Sequence, residues 1–133
     1  MGKVIEKVKI ANLFEPAKSI EIEAVIDTGA TMLVLPQDLV DGLGLRKIRD
    51  ARVKYANNKV ESKWVYGAVT VEIKGRLGIF EVLSEEVGSQ PLVGQIILEA
   101  LDLIVEPATR MLVPNPRSPE MPMVEILITT VSS

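Results

Sequence analysis

The sequence predicts an all-β domain with one or two short helices, and three observations carry that expectation. Apolar residues recur with period 2 along Val4 to Ile10 and Ser19 to Ile26, placing alternate side chains on opposite faces of a strand. Two turn signals, Asn57-Asn58 and Lys74-Gly75-Arg76, divide a long stretch rich in Val, Tyr, Trp and Thr into hairpin arms. Apolar residues at helical spacing occur in two short runs, one through Leu39, Val40 and Leu43 and one through Ile97, Leu98 and Leu101.

Taken in order, the second strand sets Ile20, Ile22, Ala24 and Ile26 on one face, with Glu21 and Glu23 on the other. Leu35-Pro36 then opens the first helix, because proline suits a first helical turn, and Gly44 suits its left-handed end. Arg52 to Ala56 and Lys59 to Ile73 form a long hairpin whose tip, Asn57-Asn58, tolerates the positive φ of a tight turn. After Lys74-Gly75-Arg76 the chain returns through Leu77 to Leu83, and Ser84 to Gln90 read as a polar loop. Pro91-Leu92-Val93-Gly94 leads into the second helix, and Leu103 to Val105 read as a short buried strand. From Pro107 onward, prolines at 107, 114, 116, 119 and 122 break any regular ladder before a last β-prone run, Met123 to Val131. The expected organisation is a domain over 1–113, a Pro-rich linker over 114–122 and a β-prone tail over 123–133.

A chain of 133 residues suits one domain and leaves no room for a second lobe. With 47% apolar and 25% charged residues it can bury a core. A net charge of -3 creates no positive field to gather nucleic acid or anionic lipid, so neither is an expected partner. The most basic stretch, Arg46, Lys47, Arg49, Arg52 and Lys54, reads as a solvated loop face. The N-terminus lacks a basic start followed by an apolar run, and no 18-residue apolar segment occurs, which points to a soluble, cytoplasmic chain. The chain contains neither cysteine nor histidine, which removes thiolate nucleophiles, sulfur-ligated metals and the usual general base. Carboxylates, lysines, tyrosines and hydroxyls remain to carry any chemistry.

The informative segment is Ala24-Val25-Ile26-Asp27-Thr28-Gly29-Ala30. A carboxylate at the end of an apolar strand loses hydration as the strand is buried, which raises its pKa and suits it to proton transfer. The following glycine permits close backbone approach, and the threonine hydroxyl can hold the turn. Asp-Thr-Gly alone is also an ordinary turn. Its setting adds to it: the apolar run before, Ala30 after, the Leu35-Pro36 helix, the hairpin, and the late Leu92-Val93-Gly94 before a helix. Trp64 and Tyr66 read as packing residues, Glu85-Glu86 as solvated, and Lys18-Ser19 as a chance pair.

Over roughly residues 4–113 this order of features resembles the retropepsin family, the retroviral-protease-like aspartic peptidases. The resemblance implies a mostly antiparallel closed barrel of the acid-protease type, active as a homodimer with its cleft at the two-fold axis. It implies an endopeptidase in which water is activated between two Asp27 carboxylates, one from each copy, on an extended peptide or protein substrate and without cofactor or metal. Thr28 resembles the residue whose hydroxyl crosses the dimer axis, and Gly29 the one that bonds substrate backbone, with Ala30 completing the active-site loop. Thr31 and Met32 fall where the family lines substrate subsites, and Leu92, Val93 and Gly94 are likewise expected to bind substrate, with Leu92 beside the scissile bond. Ala56, Asn57 and Asn58 would belong to the flap tip, Tyr55 to Lys59, that folds over the substrate. The chain differs from retroviral members by Asn57-Asn58 in place of a glycine-rich tip, by Gln95 in place of an arginine and by Thr31 in place of an aspartate. The tail, Met123 to Val131, has two readings of equal weight, one in which it pairs with the partner's edge and one in which it is a floppy or crystal-packed end. The other reading that the residues leave open is a non-catalytic dimeric module that binds peptides by strand addition.

Overall fold

A computed structural model describes residues 3–126 and 128. The strands are β1 (Val4–Asn12), β2 (Ser19–Ile26), β3 (Leu33–Pro36), β4 (Arg46–Lys54), β5 (Val60–Ile73), β6 (Arg76–Glu85), β7 (Leu92–Val93), β8 (Leu103–Val105) and β9 (Leu112–Pro114). Two short helices, α1 (Gln37–Gly42) and α2 (Gln95–Leu101), complete the predicted all-β class with its pair of helices. Seven strands form one sheet in the order β1-β2-β7-β3-β6-β5-β4, and β1 also pairs with β5, so the sheet returns on itself as a ring.

β5 closes the ring because it is long enough to serve two neighbours. Its second half, Val69 to Glu72, pairs with β1, while Val60 to Gly67 pairs with β4. From Val60 to Trp64 it has β4 as its one ladder partner, and this part of the hairpin leaves the ring. The tip behaves as its sequence predicts: Asn58 takes φ 67°, and the Asn57 side chain accepts the Lys59 N–H at 3.0 Å.

Inward-facing apolar residues fill the ring. Val8 and Ile10 of β1, Ala24 of β2, Leu33 and Leu35 of β3, Val69 and Val71 of β5 and Val82 of β6 are wholly buried with Val40 and Leu43 of the α1 region. Each such Leu, Ile or Val side chain stabilises the fold by about 1.5–3 kcal/mol relative to exposure. The α2 stripe Ile97, Leu98 and Leu101 joins the same core, which is why this run folds as a helix although it is only seven residues long. Asn12 is buried among them without cost. Its amide donates to the Leu43 carbonyl at 2.9 Å and its oxygen accepts the Phe14 N–H at 2.9 Å, so it satisfies the α1 end as well as its own turn.

Several local expectations change. The basic stretch, expected as a loop face with a hairpin arm only from Arg52, is strand β4 from Arg46 to Lys54; its charges face solvent along the sheet edge, where they discourage pairing with another edge. Leu33–Pro36 is a fully buried strand, and α1 starts at Gln37 with Pro36 extended at its N-cap. β6 runs to Glu85, so Ser84 and Glu85 belong to a strand paired in parallel with β3. Prolines 107 and 114 flank or end a two-stranded ladder, β8 with β9, instead of preventing one. Residues 115–118 lie against the end of α2, with Ser118 buried. Met123 to Glu125 and Ile126 form no strand, and most of the β-prone run after them lies outside the described residues.

Candidate active site

Asp27 follows β2 directly, at the point where Ile26, the last residue of the strand, is still buried and the chain turns out of the sheet. β7 lies between β2 and β3, parallel to the first (Val25↔Leu92, Ile26↔Val93) and antiparallel to the second (Leu33↔Val93, Val34↔Leu92). The loop from Asp27 to Met32 therefore has to pass across the end of β7. Main-chain bonds fasten it there: Asp27 N–H donates to Val93 O at 3.0 Å, Gln95 N–H to Ala30 O at 2.8 Å, and Ile96 N–H to Thr31 O at 3.0 Å. Gly94 lies so close to this loop that a Cβ on it would sit 2.5 Å from the Met32 carbonyl oxygen and 2.6 Å from the Thr31 carbonyl carbon. Only glycine fits, for reasons of space, since its backbone is extended.

Within the loop, Gly29 N–H donates to Asp27 Oδ1 at 2.9 Å and Ala30 N–H to Asp27 O at 3.1 Å. The first bond orients the carboxylate, and among the described residues Oδ2 accepts no hydrogen bond. A side chain on Gly29 would crowd Asp27 Oδ1 at 3.2 Å. In the single chain Asp27 is half-buried, so the drying that the apolar strand suggests is incomplete at the carboxylate itself.

The carboxylate opens into a cleft of about 1000 Å³ between this loop and the β4–β5 hairpin. Its floor is the smaller of the two apolar clusters: Val34 of β3 and Leu83 of β6 with Met32, Ala51, Val53 and Leu92 around them. Ala51 and Val53 come from the inner face of β4, where register pairs them with Lys63 and Glu61 of β5. An apolar floor beneath charged walls suits a ligand that offers apolar side chains at its centre.

One wall carries a partly buried polar group. Tyr55, just past β4, donates its hydroxyl to Glu85 Oε2 at 2.5 Å, and Lys63 Nζ meets Glu85 Oε1 at 2.9 Å. The side chains of Lys63 and Glu85 are 17% and 16% exposed, so this ion pair is more sheltered than the surface pairs Lys7–Glu21 or Lys47–Asp50. Burial, and then the bond to Glu85, push the Tyr55 hydroxyl up to about 12. Burial alone would raise the Glu85 carboxyl; the bonds from Tyr55 and Lys63 outweigh it and hold the group below its ordinary value. The Lys63 ammonium is raised by its bond to Glu85 against the opposing effect of burial.

The structure brings Asp27, Gly29, Ala30, Thr31, Met32, Ala56 and Leu92 to one cleft. Thr28 is exposed on the turn beside it. Val93 is buried beneath the loop, and Gly94 supports it from behind; neither lines the cleft. Asn57 and Asn58 stand exposed at the hairpin tip, outside the cleft lining. Sequence reasoning missed Val34, Val53, Leu83, Lys63 and Glu85, and read Glu85 as solvated. A signal for Lys63 was present, because period 2 along β5 puts it on the same face as the buried Val65. Trp64 points the other way, half exposed with Lys47 Nζ 3.9 Å from its ring centre, while Tyr66 is buried in the core.

Among the described residues, no group of three or more acidic side chains is placed to hold a metal ion, and no helix is long and apolar enough to cross a membrane. No curated protein matches the chain. The family model described as aspartyl protease matches residues 7–96, a span that runs from β1 through the Asp27 loop, the hairpin and β7 into α2. With the Asp-Thr-Gly turn laid across β7 and a hairpin beside it, the chain belongs to the retropepsin-like aspartyl protease family.

Proposed function

We propose that this chain is an aspartic endopeptidase that works as a homodimer, with Asp27 of each copy supplying half of the catalytic pair. The observation that carries the reading is the Asp27 carboxylate, oriented by Gly29 N–H on a loop fixed to Val93, Gln95 and Ile96, at the edge of a cleft under a hairpin.

The chemistry needs two carboxyl groups in different protonation states. One, ionised, takes a proton from water as the oxygen adds to the peptide carbonyl carbon; the other, protonated, gives its proton to the carbonyl oxygen. The tetrahedral diol then collapses, the C–N bond breaks, and the amine leaves with a proton returned from the pair. Two carboxylates about 3 Å apart share one proton, as aspartic proteases in general do, so acid and base coexist at one pH. Glu85 is committed to Tyr55 and Lys63. Glu61 and Glu86 are exposed on the cleft wall, which leaves a second Asp27 as the matching partner, related by symmetry. The apolar floor of Met32, Val34, Val53, Leu83 and Leu92 suits an extended peptide with apolar side chains around the cut.

Asp27→Asn removes the ionisable group and keeps the acceptor for Gly29 N–H. Peptide cleavage should fall by about a hundred- to ten-thousandfold, with unfolding unchanged. Cleavage by this variant at the wild-type rate would overturn the reading. A peptide carrying a hydroxyl in place of the scissile carbonyl separates an enzyme from a peptide-binding module: only a working pair binds it far more tightly than the plain peptide.

A further inference from the structure

We infer that Glu85 is the latch that sets the height of the β4–β5 hairpin over the cleft, and so acts as a positioning residue for peptide hydrolysis; its catalytic consequence rests on the peptidase reading above. The hairpin is held to the ring through β5, but from Val60 to Trp64 its ladder partner is β4 alone. Something other than sheet pairing must fix how closely its outer half approaches Asp27. Glu85 stands at the end of β6, on the body of the domain, where it pairs with Pro36 of β3. Its two oxygens take one donor from each side of the hairpin: Oε2 the hydroxyl of Tyr55, past the end of β4, and Oε1 the ammonium of Lys63 on β5. All three residues line the same cleft as Asp27.

The placement makes this contact more than a surface ion pair. Lys63 occupies an inward register on β5, two residues before the wholly buried Val65 and opposite Ala51, above a floor of Val34 and Leu83. An ammonium there without a counter-ion would be stranded over apolar surface, so the hairpin is least costly in the position that lets Lys63 reach Glu85. Lifting the hairpin to admit a peptide must break both bonds, and closing it over the peptide restores them. Glu85 touches neither water nor scissile bond in this scheme; it acts through Tyr55 and Lys63.

Glu85→Gln, Tyr55→Phe and Lys63→Met should each speed amide hydrogen exchange in residues 53–61 without changing exchange in β1 and β2. Each should raise KM for a peptide substrate by about tenfold while kcat moves less, the pattern of a lid that closes less often. Lys63→Glu alone should be the most damaging change, and Lys63→Glu with Glu85→Lys should recover most of the loss. Unchanged hairpin exchange in Glu85→Gln and Tyr55→Phe, or failure of the charge-swapped pair to recover KM, would overturn the latch. If exchange responds as expected but the wild-type chain cleaves no peptide, the latch stands and the peptidase reading fails.

Discussion

Asp102 ends α2 in the left-handed region, with φ 54°, a conformation that aspartate and asparagine tolerate better than most residues. Its side chain gathers the segment that follows β9: Ser118 Oγ donates at 2.5 Å, Arg117 Nη2 and Asn115 Nδ2 each at 3.1 Å, and Met123 N–H at 3.2 Å. Arg76, buried, donates to the carbonyls of Leu101 and Asp102 at 3.0 Å each and to that of Ser118, tying β6 to the same knot. The Ser118 hydroxyl and then Arg117 hold the Asp102 carboxyl well below the usual carboxylate range. Such a group contributes stability in full above the unfolded aspartate value of about 3.9 and loses it as pH falls through the lower folded value. Asp102→Asn keeps the backbone preference and removes the charge. Its urea midpoint should lie below wild type at pH 6, and the gap should narrow as the wild type is acidified below about pH 4. A gap independent of pH would mean that the charge is not what matters. None of this was legible in the sequence, because the donors lie 13 to 21 residues further on, in a stretch whose prolines read as a linker.

At the scale of elements, the site is made by β7, a strand of two residues. No periodicity can announce so short an element; what marked it in the sequence was Leu92-Val93-Gly94 as a unit. The glycine is legible for a physical reason, since a Cβ would meet the Thr31–Met32 backbone at 2.5–2.7 Å and backbone cannot swing away. Gly94→Ala should therefore destabilise the fold by about 1–3 kcal/mol, read from urea denaturation. It should also depress peptide cleavage in the fraction that remains folded, because the displaced segment is the far end of the Asp27 loop. Wild-type stability in this variant would show that the loop yields at no cost. The hairpin teaches the converse. Its tip residues and turn were predicted from Asn57-Asn58, and the arm from Arg52 onward with them, whereas the first part of β4, Arg46 to Ala51, was not read as strand because its charges masked a strand that faces solvent along most of its length.

For the whole molecule, the ring closes on itself through β1 and β5, and a single chain brings one Asp27 to the cleft. A second copy is what the proposed mechanism adds. Mixing wild type with an equal amount of Asp27→Asn and allowing subunits to exchange should reduce activity to about half that of the same wild type alone, because random pairing leaves about a quarter of all dimers with two aspartates. Activity that is unaffected by the variant would argue for a centre complete within one chain. Sedimentation of the same mixture reports whether the subunits associate.

By itself, the sequence determined the β class, the two helices, the hairpin tip and Asp27 with its glycine. These follow from local rules: side-chain period, the φ tolerance of asparagine and glycine, and a short motif whose members are neighbours in the chain. Tertiary structure alone decided that Glu85 is sheltered, that Lys63 faces it, and that Asp102 ties down the segment after β9. Each of these depends on a charged group meeting polar or charged partners from 13 to 30 residues away, and the free energy of a charge is set by what surrounds it after folding and not by its neighbours in sequence.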